Sequence, residues 1–96
     1  MDVYEEIANK LQSRFSNAKV EFVGESILHI DALVYRILFD TQEPLDAYRI
    51  KEIKDLVSEF NFVFVDFGVK CTNGKIDMMF WIMPKPEIKP VKVGEV

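Results

Sequence analysis

The dipeptide Asn73-Gly74 stands between two apolar runs, 62–71 and 76–84. Asn and Gly both tolerate positive φ, and a type I′ hairpin turn requires positive φ at each of its two central residues. The pattern therefore predicts a β-hairpin in which Thr72 lies opposite Lys75. The pairs expected further from the turn are Cys71:Ile76, Lys70:Asp77, Val69:Met78, Gly68:Met79, Phe67:Phe80, Asp66:Trp81, Val65:Ile82 and Phe64:Met83.

This register sorts the side chains of the hairpin onto two faces, because successive residues of a strand point to opposite sides. One face is apolar throughout and is expected to be core. It carries Val63, Val65, Phe67, Val69, Cys71, Ile76, Met78, Phe80 and Ile82, with Cys71 as a small buried hydrophobe. The other face pairs Lys70 with Asp77 and then carries the large apolar residues Phe62, Phe64, Met79, Trp81 and Met83.

Two amphipathic helices are predicted from apolar residues at helical spacing. The first follows Asp2 as its cap, and its buried stripe consists of Tyr4, Ile7, Ala8, Leu11 and Phe15. The second is expected to begin near Pro44, capped by Asp40 or Thr41, because proline is tolerated in the first turn of a helix. Its buried stripe consists of Ala47, Ile50, Ile53, Leu56, Val57 and Phe60.

A second hairpin is predicted between the helices, where apolar and polar residues alternate from Lys19 onward. A three-residue loop at 24–26 gives the pairs Val23:Ile27, Phe22:Leu28, Glu21:His29, Val20:Ile30 and Lys19:Asp31. The alternation then slips. A bulge near 31–33 and a turn at Asp31-Ala32 each explain the slip, and the sequence does not choose between them.

The element order helix, hairpin, helix, hairpin predicts an α+β fold of αββαββ order. We expect a two-layer sandwich, with two helices on one face of a four-stranded, mainly antiparallel sheet, like a circularly permuted ferredoxin-like fold. The strands at Val34–Phe39 and Met78–Met83 are the most uniformly apolar and are expected to be central. Residues 1–84 then form one domain, and the proline- and lysine-containing segment 85–96 forms an extended arm, either as a mobile tail, which is the favoured interpretation, or laid over a neighbouring subunit.

Composition limits the class of protein. A chain of 96 residues with 49% hydrophobic and 29% charged residues is expected to form a single globular domain. A single cysteine and an acidic, amphipathic start without a signal peptide favour the cytoplasm. The net charge of −4 disfavours non-specific binding to nucleic acid, because phosphate backbones are repelled.

No catalytic, cofactor or metal motif stands out. His29, the only histidine, is a conceivable base opposite Glu21, but a cross-strand polar pair is the favoured interpretation. The acidic residues Asp40, Glu43 and Asp46 suit the start of a helix, where they complement its dipole. One cysteine and one histidine do not make a zinc site. The protein is therefore expected not to be an enzyme and to need no cofactor.

The face of the sheet that the helices leave uncovered is the predicted functional surface. It should expose Phe62, Phe64, Met79, Trp81 and Met83, with Arg36 from a neighbouring strand. Large apolar patches of this kind commonly mark interfaces. We therefore expect a homodimer or higher even oligomer packed sheet to sheet, with the Pro84–Val96 arm crossing the boundary. The alternative is a binder of a small ligand or of single-stranded nucleic acid on the aromatic face.

Overall fold

The computed structural model describes residues 2–29, 31–40 and 46–86. The elements are α1 (Val3–Arg14), β1 (Lys19–Glu25), β2 (Leu33–Asp40), α2 (Ala47–Glu59), β3 (Phe62–Thr72) and β4 (Lys75–Pro84). The four strands form one antiparallel sheet in the order β1-β2-β4-β3. The predicted α+β class and αββαββ order are confirmed. The expectation that the two most apolar strands, β2 and β4, lie at the centre is also confirmed.

The two helices start in different ways. Asp2 precedes α1, but its carboxylate accepts a hydrogen bond from the Tyr4 hydroxyl at 2.6 Å, and its side chain does not cap the helix. At α2 the carboxylate of Asp46 accepts from the backbone N–H of Arg49 at 3.0 Å. The predicted caps Asp40 and Thr41 were wrong for α2, because Asp40 ends β2 and Asp46 is the cap. Residues 41–45, which include Thr41 and Pro44, lie outside the described residues.

A glutamine joins the end of α1 to the start of β1. The side-chain amide of Gln12 donates to the carbonyl oxygens of Phe15 at 3.2 Å and Ala18 at 2.7 Å. Its carbonyl oxygen accepts from the backbone N–H of Val20 at 3.0 Å. One side chain thus satisfies backbone groups that the change from helix to strand leaves without a regular partner.

The core lies between the two helices and one face of the sheet. Its buried members are Ile7, Leu11, Phe15, Ala18, Tyr35, Ile37, Phe39, Ile53, Leu56, Val57, Met78, Phe80 and Ile82. The ring of Phe80 stacks on Tyr35 and on Phe64, with centroids 5.6 and 5.5 Å away. Burial raises the pKa of Tyr35, whose hydroxyl donates to the carbonyl oxygen of Tyr4 at 2.8 Å. This bond ties α1 to the middle of the sheet.

The predicted register of the first hairpin was wrong. Glu21 pairs with Arg36 and Phe22 with Tyr35, so the strands are joined by a long connection at 26–32 in which residue 30 is not described. The expected three-residue loop fails because Gly24, at φ 140°, lies inside β1 beside a bulge at Val23. The alternative turn at Asp31-Ala32 is closer to the structure, since Asp31 has φ 62° and directly precedes Ala32 and β2.

The second hairpin follows its predicted register up to a bulge. Asn73 and Gly74 form the turn with φ of 50° and 73°, and the pairs from Thr72:Lys75 to Asp66:Trp81 are confirmed. Beyond them Val65 is an extra residue, so that Phe64 lies opposite Ile82 and Phe62 opposite Pro84. The predicted pairs Val65:Ile82 and Phe64:Met83 were therefore wrong. A one-residue shift moves every later side chain to the other face of the sheet.

The helices do not cover all of β3. A helix of 13 residues such as α2 is about 20 Å long, whereas a strand of 11 residues such as β3 extends about 37 Å. Phe62 and Phe64 pack against the core, but Phe67 is 43% and Val69 44% exposed, and Cys71 is exposed as well. The expectation that these last three residues are core was wrong, because they lie on the part of the edge strand that the helical layer does not reach.

The stacking around Phe80 leads to a stability prediction. Phe80→Ala should lower the free energy of unfolding by about 3–5 kcal/mol, because it removes a fully buried ring and leaves a cavity. Urea denaturation followed by circular dichroism measures the change. The control is Tyr48→Ala on the outer side of α2, where the side chain is 79% exposed and a change within about 0.5 kcal/mol is expected. Similar losses for both variants would contradict the assignment of the core.

Candidate functional site

The open face is the side of the sheet that points away from α1 and α2. Its side chains alternate along each strand with those of the core. In the described part of the chain no helix packs over it. The open face carries Lys19, Glu21 and Val23 of β1, Val34, Arg36, Leu38 and Asp40 of β2, Val63, Asp66, Gly68, Lys70 and Thr72 of β3, and Lys75, Asp77, Met79, Trp81 and Met83 of β4.

An ion pair forms the centre of the open face. Nε and Nη2 of Arg36 donate to Oδ1 and Oδ2 of Asp77 at 2.8 and 2.6 Å, the two-pronged geometry of a strong guanidinium–carboxylate pair. The Asp77 side chain is only 6% exposed. A carboxylate oxygen of Glu21 lies 3.9 Å from Nη1 of Arg36. Arg36 is therefore shared by two carboxylates and offers little uncompensated positive charge to a ligand.

The ion pair sets the protonation of Asp77. Hydrogen bonding from Arg36 holds the pKa of the Asp77 carboxyl below its usual value, and the attraction of Arg36 and Lys70 acts in the same direction. Burial of the carboxyl opposes this shift. The hydrogen bonding that Arg36 donates to Asp77 is also the largest cause that raises the pKa of Arg36. Both groups are charged at neutral pH, and their charges cancel locally.

A loop fixes Trp81 beside this centre. The indole Nε1 of Trp81 donates to Oγ of Ser26 at 3.1 Å. The same oxygen accepts from the backbone N–H groups of Leu28 at 3.1 Å and His29 at 3.2 Å. The imidazole of His29 meets the Trp81 ring edge-on at 6.1 Å between centroids. The segment that follows β1 thus holds the indole in place and leaves it half-buried.

A concavity of about 530 Å³ lies between the ion pair and Trp81. Its walls are Glu21, Val23, Arg36, Gly68, Val69, Lys70, Asp77, Met79 and Trp81. Gly68 has no side chain to fill the concavity. An added Cβ there would stand in open space, with no atom within 4 Å. The walls combine apolar side chains with a neutralised ion pair, and this composition suits a partner surface that is apolar with a few polar groups.

The structure brings together four of the six predicted interface residues. Arg36, Met79, Trp81 and Met83 lie on the open face, on the two central strands. The placement of Phe62 and Phe64 there was wrong, because the bulge at Val65 turns both rings toward the helices. On that side the ammonium of Lys54 lies 5.6 Å from the centre of the Phe64 ring. The aromatic part of the open face is therefore reduced to Trp81.

His29 is not opposite Glu21, as the sequence suggested. Its Nε2 lies 3.8 Å from Oδ2 of Asp66, and Glu21 faces Arg36. The difference follows from the long connection between β1 and β2. Among the described residues, no group of three or more His, Cys, Asp and Glu side chains is placed to hold a metal ion.

Sequence reasoning missed the partners that organise this face. The Arg36–Asp77 pair joins β2 to β4, and it could not be found before the order of the strands was known. The sequence predicted that Asp77 pairs with Lys70 on β3. The two residues do lie opposite each other, but the Asp77 carboxylate accepts its hydrogen bonds from Arg36. Ser26 was read as a turn residue, and nothing in its local sequence indicates that it receives the Trp81 indole.

No family model matches the chain, and neither a curated protein nor a solved structure is significantly similar to it. Within the described ranges, neither helix has the length and apolar character needed to cross a membrane.

The ion pair predicts a specific dependence of stability on pH. A carboxyl whose pKa is lower in the folded than in the unfolded state stabilises the fold above its unfolded pKa of about 3.9 and loses this effect as pH falls through its folded pKa. The free energy of unfolding should therefore decline as pH falls below about 5, and Asp77→Asn should make this decline shallower. Urea denaturation at on the order of ten pH values between about pH 2 and pH 7 measures this decline in the free energy of unfolding.

The matching variants separate the ion pair from general charge effects. Arg36→Met leaves Asp77 buried without its guanidinium, so desolvation should then raise the pKa of Asp77 above the usual value. Arg14→Met removes an exposed arginine that lies 3.0 Å from Glu52 and should leave the pKa of Asp77 unchanged. Carboxyl chemical shifts followed during an acid titration report the pKa directly. A wild-type Asp77 that titrates above the usual aspartate pKa would contradict the assignment.

Proposed function

We propose that this protein is a small, non-enzymatic assembly module that associates with copies of itself through the open face around Trp81. One observation carries the proposal. In the described part of the chain the helices cover only one side of the sheet, and the other side places Val23, Met79, Trp81 and Met83 beside an ion pair that is already satisfied.

The composition of the open face supports an interface. Val23 is 47% exposed, and Met79, Trp81 and Met83 are partly exposed. Tryptophan, methionine and arginine are enriched at interface cores, and tryptophan and arginine at hot spots. Because Asp77 already pairs with Arg36, covering this centre does not strand an isolated charge, which would oppose binding strongly.

A second copy of the chain is the proposed partner. A symmetric dimer buries the same patch twice, so each favourable contact counts twice and no other protein is needed. Packing sheet on sheet is a common way to cover an open antiparallel sheet. The proposed assembly is a homodimer, or a higher even oligomer if a further surface of the chain also pairs.

The order of the strands supports a finer assignment of the fold. Strands β2 and β3 are joined by α2 and separated by β4, which is the split βαβ arrangement of ferredoxin-like folds. We propose that the chain is a circular permutation of that fold. The exposed thiol of Cys71 supports a reducing, cytoplasmic location.

The proposed role of the Pro84–Val96 arm concerns mainly residues that are not described. Its root is fixed, since the backbone N–H of Lys85 donates to the carbonyl oxygen of Asn61 at 2.8 Å. The ammonium group of Lys85 also donates to Oγ of Ser58 at 2.6 Å. The arm thus starts at the corner between α2 and β3. We propose that residues 87–96 cross the dimer boundary, and these residues lie outside the described part of the chain.

The concavity favours one alternative function. An opening of about 530 Å³ beside an indole is of the size that small ligands occupy. A stacking platform for single-stranded nucleic acid is less favoured, because Phe62 and Phe64 lie on the other side of the sheet and Arg36 is engaged by two carboxylates.

The assembly proposal predicts the mass of the protein in solution. Multi-angle light scattering at micromolar concentrations (on the order of 10–100 μM) should give a dimer or a higher even multiple for the wild type. Val23→Glu places a charge at an exposed position of the open face and should raise the dissociation constant at least about thirtyfold, as the loss of a hot spot of about 2 kcal/mol would. Trp81→Glu should act in the same direction.

Tyr48→Glu is the control for this measurement, since Tyr48 lies on α2 and is 79% exposed. It adds the same charge to the other side of the molecule and should leave the mass unchanged. A truncation after Pro84 tests the arm. A monodisperse, folded wild-type monomer would refute the proposal and would direct attention to a ligand in the concavity.

Nucleic acid is tested separately. Single-stranded DNA and RNA oligonucleotides should show no sub-micromolar binding at physiological salt, because the chain is acidic and the described residues of its open face present one aromatic ring without a surplus of basic groups. Fluorescence anisotropy measures this. Tight binding that weakens on Trp81→Ala would contradict the prediction and favour the nucleic-acid alternative.

A further inference from the structure

Strand β3 is an edge of the sheet with an apolar side that the helices leave uncovered. It pairs with β4 on one side only, and no described strand lies on its other side. Val65, Phe67 and Val69 are each about two-fifths exposed, at 39%, 43% and 44%. An edge strand offers unpaired backbone N–H and C=O groups to another strand. A long edge with exposed apolar side chains therefore favours pairing with a further strand.

The sequence of this edge is complementary to itself. In an antiparallel pair centred on Gly68, Asp66 of one copy lies opposite Lys70 of the other, and Lys70 lies opposite Asp66. On the opposite side of the sheet Phe67 lies opposite Val69 in the same reciprocal way. Two salt bridges and two apolar pairs thus arise from one short segment. This reciprocity is what a two-fold symmetric interface requires.

We propose that β3 pairs antiparallel with β3 of a second copy, about a two-fold axis at Gly68, and so joins two sheets into one sheet of eight strands. The charged pairs lie on the open face, and Phe67 and Val69 become covered on the helix side. The occupant of the edge is therefore another copy of this chain, and a strand from a different protein is the competing possibility that the test excludes.

Pairing requires one local rearrangement at this edge. The Asp66 carboxylate is 59% exposed, and the imidazole of His29 at 3.8 Å is beyond hydrogen-bond length, but Oδ1 of Asp66 accepts from the backbone N–H of Phe67 at 2.8 Å and must release that group when a second strand pairs there. The Asp77 carboxylate opposite Lys70 is already held by Arg36. Gly68 lies at the axis, where an added Cβ would meet no atom of its own chain within 4 Å. Nothing described in the chain obstructs the approach of a second strand at that point.

Charge and backbone shape select this register. A parallel arrangement in register would place Asp66 against Asp66 and Lys70 against Lys70, which is unfavourable. An antiparallel shift by two residues would separate both ion pairs. The bulge at Val65 ends the regular part of β3, so regular pairing in each strand is limited to the segment from Asp66 to Lys70. The same charged residues and bulge that protect an edge against indiscriminate pairing thus permit one symmetric pairing.

This inference rests on the proposed function only in that both involve self-association, because it uses the outer edge of β3 and not the surface around Trp81, although Asp66, Gly68 and Lys70 lie on the open face as well. The open face and the β3 edge together would give a dimer of dimers where their two-fold axes meet at right angles, and an open chain of dimers otherwise. Because Gly68 also lies on the open face, the two surfaces are separated by measuring cross-linking at Gly68→Cys with and without Val23→Glu.

A cysteine at the axis provides the test. The chain carries Cys71→Ser to remove the native thiol and Gly68→Cys to place a thiol opposite itself. Directly opposed residues of an antiparallel pair have Cα atoms about 4.5–5.5 Å apart, within the range that a disulfide spans. Mild oxidation should yield a covalent dimer. The control is Thr72→Cys in the same background, because its two copies would be about 27 Å apart.

Charge reversal makes the test specific for the register. In the Gly68→Cys chain, Asp66→Lys or Lys70→Asp alone puts like charges opposite each other twice and should slow cross-linking about tenfold or more. A mixture of the two variants, or the double variant Asp66→Lys/Lys70→Asp, restores opposite charges and should restore the rate. The double variant also controls for folding, since it carries both substitutions.

The outcomes distinguish the two surfaces. Cross-linking at Gly68→Cys that persists with Val23→Glu supports the edge pairing whatever the open face does. Failure to cross-link at Gly68→Cys, equal cross-linking at Thr72→Cys, or indifference to charge reversal would overturn the edge pairing. In that case a mass that still falls on Val23→Glu would leave the proposed open-face assembly standing.

Discussion

Two helices of 12 and 13 residues cover one side of a sheet whose last two strands have 11 and 10 residues. The free energy gained by burying apolar surface favours covering the central strands first, since these are the most uniformly apolar. Tyr35, Ile37 and Phe80 are completely buried as a result. What remains exposed is determined by this unequal coverage, namely the open face and the outer half of β3. Both candidate surfaces therefore have the same structural origin.

The open face remains compatible with both a folded monomer and an interface because its central charges are neutralised within the chain. Arg36 bridges β2 and β4 through Asp77, so the ion pair stabilises the contact between the two central strands. An exposed apolar surface of similar size without such a centre would bind less selectively, because apolar contacts carry little directional information. The fixed indole of Trp81 adds shape to that surface, since Ser26 restricts its orientation.

Much of the fold could be predicted from local patterns. The Asn73-Gly74 turn, the stripes around Ile7 and Ile53, and the central position of β2 and β4 follow from periodicity and turn chemistry, which depend on neighbouring residues alone. The errors involve bulges at Val23 and Val65, where one extra residue is inserted without a distinctive sequence signal. The candidate site was partly predictable for the same reason. Strand β4 is regular around Trp81, whereas Phe62 and Phe64 lie beyond the bulge.

The Val65 bulge has a consequence for how this surface can change over evolutionary time. Removal of one codon at this position would restore the uninterrupted alternation of β3 and would leave the two phenylalanines before it opposite Ile82 and Pro84, on the interior side of the sheet. Loss of the bulge at unchanged chain length would instead place Val65 opposite Ile82 and Phe64 opposite Met83, and this would move two aromatic rings from the interior to the open face. Homologous chains that are one residue shorter at this position are therefore expected to keep both rings in the core, whereas chains that keep the length but lose the bulge are expected to differ in what they bind.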